Sequence, residues 1–215
     1  MITYIRNNHV EIVDNLVQHV WLSLLPVVIG ALLALPVGYL AVRKRWLYQP
    51  VVNAGAIIYS IPSLALFLIL PPLLGVGYLS ALNVIVGLTL YTLALLSRTV
   101  ADALISVQGQ ATQAARAMGY RPIRQLFGVE LPMALPVLFA GLRVATVANI
   151  SLVSVGALVG SGGLGNLFTG GFQLGFVEAI IVGIVLSMLL AGLCDVGLVL
   201  LQRWLTPWTR TGART

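Results

Sequence analysis

Five apolar runs divide the chain, at about 20–42, 51–74, 82–105, 135–159 and 176–201. Each holds roughly the ~20 residues that cross a hydrocarbon core ~30 Å thick at 1.5 Å per residue. In lipid every backbone N–H and C=O needs an internal partner, so runs of this length are helices; barrel strands would be half as long and would alternate polar with apolar positions. The pattern therefore predicts an all-α integral membrane protein with five transmembrane helices. Before the first run, Val10, Val13, Val17 and Val20 recur at helical spacing opposite Glu11, Asp14, Asn15 and Gln18, which predicts a short interfacial helix on one membrane face. The domain expectation is a segment 1–19, a membrane domain 20–205 containing a polar loop at 106–134, and a tail 206–215.

Composition agrees. The chain has 215 residues, 59% hydrophobic and 8% charged, against about 25% charged in a soluble domain. The net charge of +6 does not indicate nucleic acid, because the basic residues are spread between apolar runs instead of forming one face. They set orientation instead. Arg43, Lys44 and Arg45, then Arg116, Arg121 and Arg124, then Arg203, Arg210 and Arg214 occupy alternate connections, while the connections near 75–81 and 160–175 carry no Lys or Arg. Positive loops stay in the cytoplasm. The N-terminus is thus expected outside and the C-terminus inside, with Arg98 and Arg143 snorkelling from span ends and Trp46, Trp204 and Trp208 forming an interfacial belt. The acidic and apolar pattern of the first residues does not fit a cleavable leader.

The 111–132 stretch is too polar for lipid and too regular for an idle connection. Ala111, Ala114, Ala115 and Met118 fall on one helical face, Gly119 suits a left-handed helix end, and Pro122 suits the first turn of a second helix ending at Pro132. This reads as helix, corner, helix: a knob whose small residues let a partner approach closely. The spacing resembles the cytoplasmic loop of ATP-binding-cassette (ABC) importer permeases, which opens Glu-Ala-Ala, has Gly at Gly119, and ends Ile-x-Leu-Pro. Gln113 stands for the Glu and Val129 for the Ile, while Ala114, Ala115, Gly119, Leu131 and Pro132 match. The resemblance implies a type I ABC importer permease fold and a coupling helix gripped by an ATPase, with Gln113, Ala114, Ala115, Arg116, Met118, Gly119, Pro122, Leu131 and Pro132 at the contact.

Two further strings sharpen the likeness. "IPSLALF" at 61–67 followed by "LLGVG" at 73–77 resembles permeases that import glycine betaine, carnitine and choline, and the glycine-dense 155–168 stretch resembles a segment of importers for osmoprotectants and methionine. Pro62 breaks a backbone hydrogen bond and bends span two, with Ser60 and Ser63 able to re-satisfy carbonyls. The glycine stretch lacks a Gly-Lys-Ser/Thr ending, so a phosphate cradle does not fit; it is a packing turn or, by the resemblance, part of an outer gate. Tyr59, Ser60, Pro62, Tyr91, Asn149, Ser154, Gly162 and Gly163 are the candidate path and gate residues. As polar groups within spans, several of these either line a wet path or glue helices together.

The sequence holds no catalytic set, no proton-relay chain and no metal cluster: His9 and His19 read as solvated, Cys194 as a small core residue, and no cofactor is expected. The resemblance implies two copies of a cytoplasmic ABC ATPase, a second permease copy or paralogue, and an extracytoplasmic solute-binding protein, all in a bacterial inner membrane. Its alternatives are an importer of methionine or a sulfonate, or a carrier or scaffold that uses no ATP.

Overall fold

The computed structural model describes residues 2–208. Within them the chain is helical: α1 (Ile2–Asn7), α2 (His9–Arg43), a 3₁₀ turn (Arg45–Leu47), α3 (Tyr48–Ser60), α4 (Ser63–Leu74), α5 (Ala81–Ser106), α6 (Gln110–Ala117), α7 (Pro122–Gln125), a π turn (Leu126–Glu130), α8 (Leu131–Val153), a 3₁₀ turn (Ser154–Val159), α9 (Gly165–Leu174) and α10 (Val177–Leu205). Four helical stretches are long and apolar enough to cross a membrane, and α3 with α4 makes a fifth span bent by 102°. Residues 209–215 of the expected tail, with Arg210 and Arg214, lie outside the described residues.

Small residues decide the core. Along α2, Pro26, Gly30, Ala34, Gly38 and Ala41 are buried at helical spacing. A Cβ on Gly30 would come within 2.6 Å of Thr92, and one on Gly38 within 2.6 Å of Val100, so α2 and α5 approach almost backbone to backbone. In lipid the gain comes from this close van der Waals packing, since the tails outside are as apolar as the core. α8 closes the group through Ala134, Ala145 and Val153, while α4 and the 154–159 turn add Leu66, Phe67, Leu70 and Val159. α10 stays peripheral: Val182 meets Ile12, Leu164 and Leu167 at one end, and α8 packs along it.

Several expectations are corrected. Residues 9–19 are not a separate interfacial helix. They belong to α2, whose 35 residues reach about 52 Å. The buried stripe there is Ile12, Asn15 and His19, while Val10, Val13 and Val17 are exposed. Burial of this polar side is possible because Asn15 and His19 find partners. His19 is therefore buried, not solvated. The 160–175 connection is not a loop but a tight turn followed by α9. The break at Pro62 is a corner, not a kink. Pro132 does not end a helix, because the π turn carries the chain from α7 straight into α8, with Leu131 N–H donating to the Leu126 carbonyl in π register. Arg143 does not snorkel: α8 holds it well inside the helix, where Nε and the terminal nitrogen donate to Asp195 of α10 at 2.6 and 2.7 Å.

Candidate functional site

The basic and the basic-free connections separate to opposite ends. At one end the C-terminus of α2 meets the π turn through Arg43 and Glu130, and Tyr48 donates to Asp102 at 2.8 Å. At the other, Ser161 Oγ donates to the Leu79 carbonyl at 3.0 Å, joining the two connections that lack Lys and Arg.

The knob forms at the basic end. α6 opens after Gly109, whose N–H donates to Thr112 Oγ1. It ends at Ala117, and the chain then turns at Gly119, whose φ of 81° is one that residues with a Cβ adopt at a cost. Pro122 then starts α7, its missing N–H falling where no intrahelical bond is due. The expected alanine face is partly corrected. Ala115 and Thr112 are buried against the loop's own second limb, Ala111 is half-buried, and Ala114 and Met118 point outward. An eight-residue helix must spend one stripe on its own support, and that stripe runs through 112 and 115. The outward surface is instead Gln113, Ala114, Arg116, Met118, Gly119, Arg121, Pro122, Ile123, Arg124 and Phe127. Met118, Ile123 and Phe127 are 70%, 71% and 64% exposed, and Arg124 lies over the Tyr120 ring at 5.0 Å. Large apolar side chains ringed by arginines form an exposed patch of the kind that marks contact with another protein or a membrane. Leu131 and Pro132 are half-buried where the knob joins α8.

At the opposite end the glycine stretch is clamped onto α2. His19 Nδ1 accepts from Leu164 N–H at 3.1 Å and Nε2 donates to the Ile150 carbonyl at 2.9 Å. With a donor at one nitrogen and an acceptor at the other, the ring is the neutral Nε2–H tautomer. Asn166 donates to Asn15 at 2.8 Å. Gly163, at φ 51°, packs where a Cβ would lie 2.7 Å from the His19 backbone, and Gly162 is buried beside Ala157. Ser154 is half-buried at the start of the 3₁₀ turn.

The α3–α4 corner completes the candidate set. Ser60 donates to the Ile57 carbonyl at 2.8 Å and Tyr91 to the Ile61 carbonyl at 2.5 Å, filling acceptors that the break at Pro62 leaves open. Pro71 likewise deprives the Phe67 carbonyl of its helical donor, and Asn83 supplies one at 2.6 Å. Tyr59 is exposed and meets Tyr91 edge to face at 5.6 Å. Tyr59, Ser60 and Pro62 therefore share an exposed surface. Tyr91 and Asn149 do not: both are buried, and Asn149 donates to Thr92 at 2.9 Å and to the Ser23 carbonyl at 3.4 Å, tying α8 to α5 and α2.

Sequence reasoning missed Glu130, Gln125, Arg43, Asn15, Asn166 and the Arg143–Asp195 pair as structural partners. One signal was present: Glu130 is the sole acidic residue in a strongly basic connection.

Comparison with known proteins gives these features a context. A relative from Salmonella typhimurium, the osmoprotectant import permease protein OsmW, is 36% identical over 96% of this chain and 97% of its own. The choline transport system permease protein OpuBB of Bacillus subtilis is 32% identical over 96% and 94%. The glycine betaine/carnitine/choline transport system permease protein OpuCD of the same organism is 34% identical over 95% and 89%. Among solved structures, an inward-facing form of the MetNI methionine ABC transporter superposes with a TM-score of 0.81 at 26% identity, over 93% of this chain and 98% of that one. With residues 26–211 matching its model, this multi-pass membrane protein belongs to the family of binding-protein-dependent transport system inner membrane components and has the type I ABC importer permease fold.

Proposed function

We propose that the chain forms one half of the transmembrane path of an ATP-driven importer for a small quaternary-amine osmoprotectant such as glycine betaine, carnitine or choline. The second half is another copy or a paralogue. Two copies of a cytoplasmic ATPase grip the knobs, and an extracytoplasmic binding protein delivers the solute at the end carrying the glycine stretch. The protein sits in a bacterial inner membrane with its N-terminus outside and its C-terminus inside. The observation that carries this reading is the knob: an exposed apolar tip ringed by Arg116, Arg121 and Arg124, on a chain whose sequence relatives are named for osmoprotectant, choline, carnitine and glycine betaine transport.

In this reading Gln113, Ala114, Arg116, Met118, Gly119 and Pro122 meet the ATPase, while Ala115, Leu131 and Pro132 shape the knob from inside. Tyr59, Ser60 and Pro62 face the path, where an aromatic face attracts a quaternary ammonium. Tyr91 and Asn149 hold that surface from behind. Ser154, Gly162 and Gly163 belong to the outer gate.

Proteoliposomes containing the permease with its ATPase and binding protein are expected to take up labelled glycine betaine, carnitine or choline only when ATP is supplied. Uptake without the ATPase contradicts the motor. Uptake of methionine with none of the three amines contradicts the solute class. Orientation has its own check: in a Cys194→Ser background, cysteines at 44 and 121 react with an impermeant maleimide only from the cytoplasmic side, and cysteines at 78 and 174 only from outside. The reverse pattern overturns the topology.

A further inference from the structure

A chain of polar groups runs from the knob to the end of α2. Arg116 Nε on α6 donates to Gln125 Oε1 at 3.4 Å. Gln125 Nε2 donates to Glu130 Oε1 at 2.5 Å. The Arg43 guanidinium donates to both Glu130 oxygens at 3.2 Å and lies over the Tyr39 ring at 5.1 Å. Gln125 and Glu130 are 2% and 3% exposed, so this carboxylate has been taken out of water and relies on its partners. Beside it the packing is open. A half-open apolar groove of about 260 Å³ lies between α2, α5 and the π turn, bordered by Leu35, Tyr39, Leu104, Leu126 and Phe127. The knob is thus joined to the tip of α2 by an ion pair at the edge of an apolar groove, beside the cluster in which Leu126 packs with Tyr39, Val42 and Leu104. The π turn matters here as well: its extra residue rotates the knob relative to α8 by about 100° compared with a continuous α-helix, in a register where Glu130 faces Arg43.

Resting on the docking role proposed above, we infer that Glu130 is a positioning residue that transmits movement of the knob to α2 through Arg43. Apolar side chains at a groove can slide past one another, whereas the ion pair, one Arg43 nitrogen held between both Glu130 oxygens, ties its two partners together. When an ATPase shifts the knob, Glu130 carries the inner end of α2 with it, and α2 is the helix packed closest to α5 and clamped at its far end to the glycine stretch. The same link works in reverse, because coupling between two sites is reciprocal.

The test uses the reconstituted complex with ATPase and binding protein, and reads solute transported per ATP hydrolysed. Glu130→Gln preserves volume and removes the charge. ATPase association and hydrolysis are expected to stay at the wild-type level while transport per ATP falls about tenfold. Glu130→Asp, which keeps the charge on a shorter arm, is expected to lie between the two. Where Glu130→Gln yields no folded complex, Arg43→Gln at the half-exposed helix end reads the same link. A wild-type transport-to-ATP ratio in Glu130→Gln overturns the inference, as does a loss of transport that only follows loss of bound ATPase. A wild-type permease that binds no ATPase, or that moves solute without one, overturns the docking reading instead.

Discussion

Gly163→Ala is expected to destabilise the folded permease by about 2–5 kcal/mol, combining the ~1–2 kcal/mol of a left-handed backbone with the ~1–3 kcal/mol of overpacking. The added Cβ would lie 2.7 Å from the N, Cα and Cβ of His19. Backbone cannot rotate aside as a flexible side chain can. α2 would have to retreat, and retreat breaks the His19 bonds to Leu164 and Ile150 and the Asn15–Asn166 bond. Thermal unfolding in detergent measures the loss. Gly170→Ala is the control: nothing lies within 4 Å of its Cβ position, and inside α9 alanine is the better helix former by up to about 1 kcal/mol. Equal midpoints for the two variants contradict the clamp.

A second large effect is expected at the knob, where two adjacent alanines should behave in opposite ways. Ala114 points outward and Ala115 is buried. Ala114→Trp is expected to leave the permease folded and to weaken its hold on the ATPase by about 30-fold or more, the effect of losing one ~2 kcal/mol hot spot. Ala115→Trp forces an indole between α6 and the π turn, so it is expected to destabilise the permease itself by about 1–3 kcal/mol. Co-purification with the ATPase and the melting temperature of the isolated permease separate the two. If Ala114→Trp holds the ATPase normally, the outward face of α6 is not the docking surface.

The same pair shows how much of the knob was legible. Ala111, Ala114, Ala115 and Met118 are equivalent in a helical pattern, because periodicity identifies a face without saying which way it turns. The turn at Gly119 and the helix start at Pro122 were legible, since backbone dihedrals are local properties of those residues. Glu130 was not assigned a role, because its partner Arg43 lies 87 positions away and had already been explained as a positive-loop residue. The Arg143–Asp195 pair escaped for the same reason: each was considered within its own span. At the outer end, valines 10, 13 and 17 were legible as an outward apolar face, whereas the burial of the polar side opposite them was not. The structure buries Asn15 and His19, since both meet hydrogen-bond partners from α9 and the glycine stretch.

Length, hydropathy and the distribution of arginines determined by themselves that this chain is a bundle of membrane-crossing helices with one polar knob, because lipid leaves an apolar run of that length few alternatives to a helix. Tertiary structure alone decided which glycine of the 155–168 stretch bears a helix backbone, how sharply span two turns at Pro62, and which charged groups hold the knob to α2. Those outcomes depend on contacts between residues far apart in the chain. Hydrogen bonds and close backbone approach are set by geometry in space, which no local pattern of residue types encodes.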